Sequence, residues 1–195
     1  MVLPILSCGI FQWELEKILP QLKEKLGEEI SAKFLPPGLD VSEPKLEAAI
    51  NEGLASFNNR KTALLYGSMC HTNMAEVAKA SGSIYPKPAN CVAILLGPEK
   101  KQEMDAQGNF YYLTSGGLRL WREIYKQGHG WDDADARVNF GSFEKIVVLD
   151  TGVIEIPDEE LFEFFEFTQV PVEVEKISLD HFEAVVFDMC QKLLN

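Results

Sequence analysis

The sequence of 195 residues contains no run of about 18 apolar residues, so no segment is expected to cross a bilayer as a helix. No CxxC pair occurs, and neither a zinc ribbon nor a thioredoxin-type redox motif is supported. A GxGxxG string after the first strand is missing, which argues against a dinucleotide fingerprint. GxSxG is missing too: Gly67 and Ser68 come nearest but lack the second glycine of a serine nucleophile elbow. Basic residues are scarce, with 18 Lys and Arg against 30 Asp and Glu, a net charge of −12. That field repels phosphate backbones and anionic lipid, so neither nucleic acid nor a membrane is expected as a partner. Cysteine is sparse as well, at four. The opening MVLPILSCG has no basic n-region and its apolar run stops before Cys8, so it does not read as an export signal. A cytoplasmic protein is expected, with cysteines serving as free thiols, ligands or nucleophiles rather than as a disulfide framework.

What is present is an alternation of short β-type apolar runs with amphipathic stretches. It predicts a single Rossmann-like α/β domain over 1–195, a mostly parallel sheet covered by helices on both faces. Strands are expected at 2–8, 29–35, 62–67, 83–85, 110–114, 145–150 and 170–175. The last alternates Val170, Val172 and Val174 with Pro171, Glu173 and Glu175, the pattern of an edge strand. One helical stripe is Phe11, Leu15, Ile18, Leu22 and Leu26, with Pro20 kinking or dividing it. A second, opened by Ser42 and Pro44, is Leu46, Ala49, Ile50, Leu54 and Phe57. Further helices are expected from near Thr72, Asn90, Ser115, Pro157 and Ser178. Residues 127–141, with Gly128, Gly130, Trp131 and three aspartates, read as the longest irregular stretch, either a lid or a plain surface excursion.

In a sheet of this kind ligands collect beyond the carboxyl ends of the strands. Cys8 ends the first strand, Cys70 follows the third, and Cys91 falls in the first turn of a helix capped by Asn90, where the helix dipole lowers a thiol pKa. Any one of them reads equally as a small core residue. Three on one sheet edge suit zinc or an iron–sulfur cluster, with His71 as a candidate fourth ligand or, alternatively, a capping histidine. Cys190, beside Met189 on the last helix, is assigned to packing. Asp150, Thr151 and Gly152 end a strand where a ligand is oriented or a turn is made, and Tyr66 lines either a pocket or the core. Thr114 to Gly117 opens a helix, as an anion cradle or a capped turn. His129 and His181 read as surface residues.

The runs LSCG, FLPPGL, LLYGSMC, NCVAILLG, NFYYLTSGGL and KIVVLDTG resemble the landmarks of an archaeal and bacterial family, domain of unknown function 1638, over nearly the whole chain. The resemblance implies that Cys8, Cys70 and Cys91 are the family's recurring cysteines, and it implies a setting in anaerobic, corrinoid-linked methyl metabolism. Two departures stand out. Leu39 is followed by Asp40 where relatives have Leu-His, and Asn90 occupies a position often acidic.

Three functions follow as expectations: a cysteine-ligated metal or iron–sulfur protein, an adaptor, and a thiol enzyme. The adaptor would dock a basic partner protein through the final quarter, where eleven acids from Glu155 onward face only Lys176 and Lys192. The thiol enzyme would use Cys91 as nucleophile. The Phe-rich run from Leu161 to Phe167 is apolar on more than one stripe, as a homodimer face or a helix between neighbours would be.

Overall fold

A computed structural model describes residues 2–195. Among the described residues six strands form, β1 (Val2–Cys8), β2 (Glu29–Leu35), β3 (Ala63–Leu65), β4 (Phe110–Thr114), β5 (Lys145–Asp150) and β6 (Val172–Lys176). They build two parallel sheets of three strands, ordered β2-β1-β3 and β4-β5-β6, rather than the single sheet expected. The break follows from the chain after β3. The expected strand at 83–85 contributes one bridge, Ile84 to Ala63, and the residues beyond it include Pro86 and Pro88, which cannot donate to a ladder. Pairing therefore stops, and β4 starts a new sheet.

Among the described residues eight α-helices cover the sheets: α1 (Gln12–Leu26), α2 (Glu43–Ser56), α3 (Met74–Ala80), α4 (Cys91–Asp105), α5 (Ser115–Arg119), α6 (Asp133–Phe140), α7 (Asp158–Thr168) and α8 (Asp180–Leu194). Leu15, Ile18 and Leu22 bury the predicted face of α1, which runs through the exposed Pro20 without dividing. On α4 Asn90 caps the start, its side chain accepting the Ala93 N–H at 3.0 Å, and Gly97 followed by Pro98 bends the helix. The predicted irregular stretch is largely helical. A π-helical segment (Arg122–Gly128) leads into it, and Asp132 and Asp135 form a capping box for α6, leaving only 129–132 irregular. Its aspartates are helix-start signals rather than loop composition.

One apolar core runs between the sheets. Leu3, Ile5 and Leu65 of the first meet Val147 and Leu149 of the second, together with Phe182 of α8. The opposite face of the first sheet is covered by α2 through Leu46, Ile50 and Leu54 against Leu6 and Leu64. Ile146 and Val148 of β5 face a third cluster with Phe140, Phe164 and Phe167. In α7, Phe162 points outward at 61% exposure. β6 is the edge its alternation predicted, with four of five residues exposed.

Candidate functional site

Both sheets end on the same functional seam, and the first sheet brings the cysteines to it. Cys8 is the last residue of β1, in register with Leu35 of β2. Past β3 the chain runs through Tyr66 into a turn held to the segment before α4: the Ser68 N–H donates to the Pro88 carbonyl at 3.0 Å and the Met69 N–H to Ala89 at 2.9 Å. Gly67 makes this approach possible, because a Cβ there would overlap the Ala89 carbonyl oxygen. The turn carries Cys70, and the segment it rests on delivers Cys91. Cys8 packs on both flanking clusters, sharing one with Cys91 and the other with Cys70.

The thiols stand close enough for Cys8 to feel the charge of Cys91 and Cys70, and for Cys91 to feel that of Cys70. Burial pushes Cys8 above the ordinary thiol range, with Cys91, Asp40 and Cys70 adding to it and the Ile10 N–H opposing. Burial likewise lifts Cys91 to about 12, reinforced by Cys70 and Asp40, and Cys70 to about 11, reinforced by Asp40. The lowered thiol expected for Cys91 at the start of α4 is thus corrected. The N–H groups of Val92 and Cys91 do favour its thiolate, but desolvation outweighs them. Cys190 lies apart, fully buried on α8, as its packing assignment required.

Tyr66 is 3% exposed, and its hydroxyl has no hydrogen-bond partner. Burial raises its pKa, with Cys8, Cys70 and Asp40 acting in the same sense. From the second sheet, Tyr111 and Tyr125 share a hydroxyl contact of 2.8 Å, and both feel Cys91 and Asp40. Tyr125 stacks on Trp131 and His129. Tyr111 of β4 and Tyr125 of the π-helical segment thus lie within electrostatic reach of Cys91, with Trp131 and His129 stacked on Tyr125.

His71 is turned elsewhere. Its Nδ1 accepts the Asn73 N–H at 3.0 Å, and its Nε2 lies 3.7 Å from the Glu47 carboxylate on α2. Asp150 is a turn former, its Oδ1 accepting the Gly152 N–H at 2.8 Å, with Gly152 in the left-handed region at φ 68°. Thr151 alone of that trio enters a buried polar cluster. Its hydroxyl donates to Glu14 Oε1 at 3.1 Å, and Ser115 Oγ donates to the same oxygen at 2.8 Å. Glu14 is fully buried, its Oε2 unpartnered and its pKa raised by burial, against which both hydroxyls act. This cluster also occupies the expected anion cradle: Thr114 caps the Gly117 N–H, Ser115 serves Glu14, and Gly116 lies against the Ile10 carbonyl. Sequence reasoning passed over Glu14. Its signal was an acid at i+3 from Phe11 and i−4 from Ile18, on the face of α1 that turns inward.

Among the described residues, no group of three or more His, Cys, Asp and Glu side chains stands in an arrangement that holds a metal ion. The three thiols are neighbours without coordination geometry.

Residues 34–186 match the family described as protein of unknown function (DUF1638). The chain belongs to this family. The matched residues of this DUF1638 protein include Cys70 and Cys91 and begin beyond Cys8. No curated protein matches the chain. Among solved structures, the DUF1638 chain is similar to a periplasmic sugar binding protein of an ABC sugar transporter from Legionella pneumophila. The identity is 13%, 97% of this chain and 86% of that one are covered, and the TM-score is 0.39.

Proposed function

We propose that this DUF1638 protein is a cytoplasmic metal-binding protein that takes zinc or an iron–sulfur cluster on Cys8, Cys70 and Cys91. One observation carries the reading: thiols from the end of β1, the turn after β3 and the start of α4 are brought within electrostatic reach, Cys8 responding to both Cys91 and Cys70 and Cys91 to Cys70. In the metal-free protein burial keeps them protonated, which makes them poor nucleophiles and speaks against the thiol-enzyme reading. A bound cation inverts that balance, because coordination removes the thiol protons. His71 is the candidate fourth ligand: its Nδ1 accepts from the Asn73 N–H, while its buried Nε2 has no hydrogen-bond partner. The setting we propose, anaerobic one-carbon metabolism linked to corrinoid methyl transfer, rests on the family resemblance alone.

The test is elemental analysis and an absorption spectrum of protein purified without oxygen, beside a variant with Cys8, Cys70 and Cys91 changed to serine. Stoichiometric zinc or iron is expected in the natural protein and absent from the variant. Metal uptake should release about three protons per chain at neutral pH and tighten as pH rises, since protons compete for thiols that titrate well above 7. Wild-type protein that stays metal-free after reconstitution overturns the proposal.

A further inference from the structure

The Phe-rich run of α7 keeps one ring out of the core. Phe164 and Phe167 are buried and Phe165 is half-buried, but Phe162 stands 61% exposed, one helical turn from the exposed Glu166. Beside it α6, α7 and the π-helical segment line an open groove of about 310 Å³, with Trp121 and Phe167 at its floor. Cations cover both floor rings: the Arg122 guanidinium lies 4.4 Å from the centroid of Trp121, and the Lys126 ammonium 4.9 Å from that of Phe167. These two cations are neutralised within the chain, Arg122 by Glu163 and Lys126 by Asp133 at 3.5 Å. Arg137 and Glu166 line the same groove, are exposed, and among the described residues carry no ion pair. The groove therefore holds three cations (Arg122, Lys126, Arg137) and three anions (Asp133, Glu163, Glu166), a net charge of zero in a chain of −12.

We propose that this groove is the interface of a two-fold homodimer, in which each copy seats Phe162 in the groove of the other and pairs Arg137 with Glu166 of the partner subunit. A two-fold interface has to complement itself, since every contact between two different positions is made twice. An apolar ring over an aromatic floor, flanked by one unpaired cation and one unpaired anion, meets that requirement. A strongly basic partner would meet Arg137 as a like charge, and a strongly acidic one would meet Glu166 in the same way. The net charge selects the place as well. Two chains of −12 repel over most of their surface, and they approach at least cost where the local charge cancels.

The test is sedimentation equilibrium under reducing conditions, over about 1–200 µM protein, the range of small and transient interfaces. Natural protein should show a monomer–dimer equilibrium. Phe162→Ser, Arg137→Glu and Glu166→Arg should each weaken it about tenfold or more, with the melting temperature unchanged because all three side chains are exposed. The deciding measurement mixes two of these variants. Arg137→Glu carries an acid at both positions and Glu166→Arg a base at both, so each repels its own kind. An equimolar mixture restores both ion pairs across the interface, and it should regain the natural affinity as a heterodimer. Natural protein that stays monomeric overturns the proposal, as does a single variant that still dimerises like the natural protein. An assembly larger than a dimer overturns it too, since a two-fold contact closes at two copies. A mixture that stays monomeric has the same consequence, because a folding defect or a general charge effect would disable each variant without letting one rescue the other.

Discussion

Glu14 shows how one residue couples the two sheets through chemistry that burial makes conditional. Its carboxyl reaches from α1 to Ser115 after β4 and Thr151 after β5, with one oxygen satisfied twice and the other not at all. Burial raises its pKa above that of an unfolded chain, so the folded state holds the proton more tightly. The sign follows from linkage. Between the unfolded and folded pKa values the native state binds more protons, so stability is greatest below the unfolded value and declines as pH rises through the folded one. Glu14→Gln removes that dependence while keeping a carbonyl acceptor for both hydroxyls. The variant is expected to be more stable than the natural protein by about 1 kcal/mol at pH 8 and no more stable at pH 4, read by denaturant titration at the two pH values. Equal pH dependence in both proteins would show that Glu14 titrates normally.

At the scale of elements, the seam depends on backbone approaching backbone. The start of α5 rests on the 3-10 turn after β1 (Gly9–Phe11), and a Cβ on Gly116 would run into the Ile10 carbonyl oxygen. Backbone cannot move aside as a flexible side chain does, so Gly116→Ala should cost about 3 kcal/mol or more and loosen both sheets together. Gly27, which ends α1 in the left-handed region at φ 66°, meets nothing within 4 Å of an added Cβ. Gly27→Ala should cost only about 1 kcal/mol, for conformation alone. Urea midpoints of the two variants check the contrast, and a cost at Gly116 no greater than at Gly27 would mean that the α5 contact yields.

Across the whole molecule the dominant quantity is the net charge of −12. The acidic final quarter is not a uniform docking face, because Glu160, Glu163, Glu173, Glu183 and Asp188 each face a Lys or Arg, four of them from earlier in the chain. Exposed pairs of this kind contribute roughly 0–1 kcal/mol each, whereas self-repulsion of the unpaired excess acts over the entire surface. Raising salt from about 10 mM to about 200 mM shortens the Debye length to the scale of neighbouring side chains. The melting temperature is expected to rise over that range. A fall would show that the ion pairs outweigh the repulsion.

Composition and periodicity determined much of this protein on their own. Four strands, β1, β2, β4 and β5, have the predicted bounds, and for the largely buried β1 and β5 the signal is a continuous apolar run that the sequence displays openly. The Asn90 cap, the α1 face and the edge character of β6 were legible for similarly local reasons. Family membership was legible in the motifs, as were Cys8 at the end of β1 and Cys91 in the first turn of α4. The tertiary structure alone decided that the sheet divides in two, because pairing is a contest among distant segments that no local pattern reports. It also decided the protonation of the thiols. Proximity to a helix start is written in the sequence, but desolvation depends on everything packed around a sulfur, and at Cys91 it wins. Glu14 and the unpartnered Tyr66 hydroxyl belong to the same class: each side chain's identity was visible, and its burial was a property of the assembled fold.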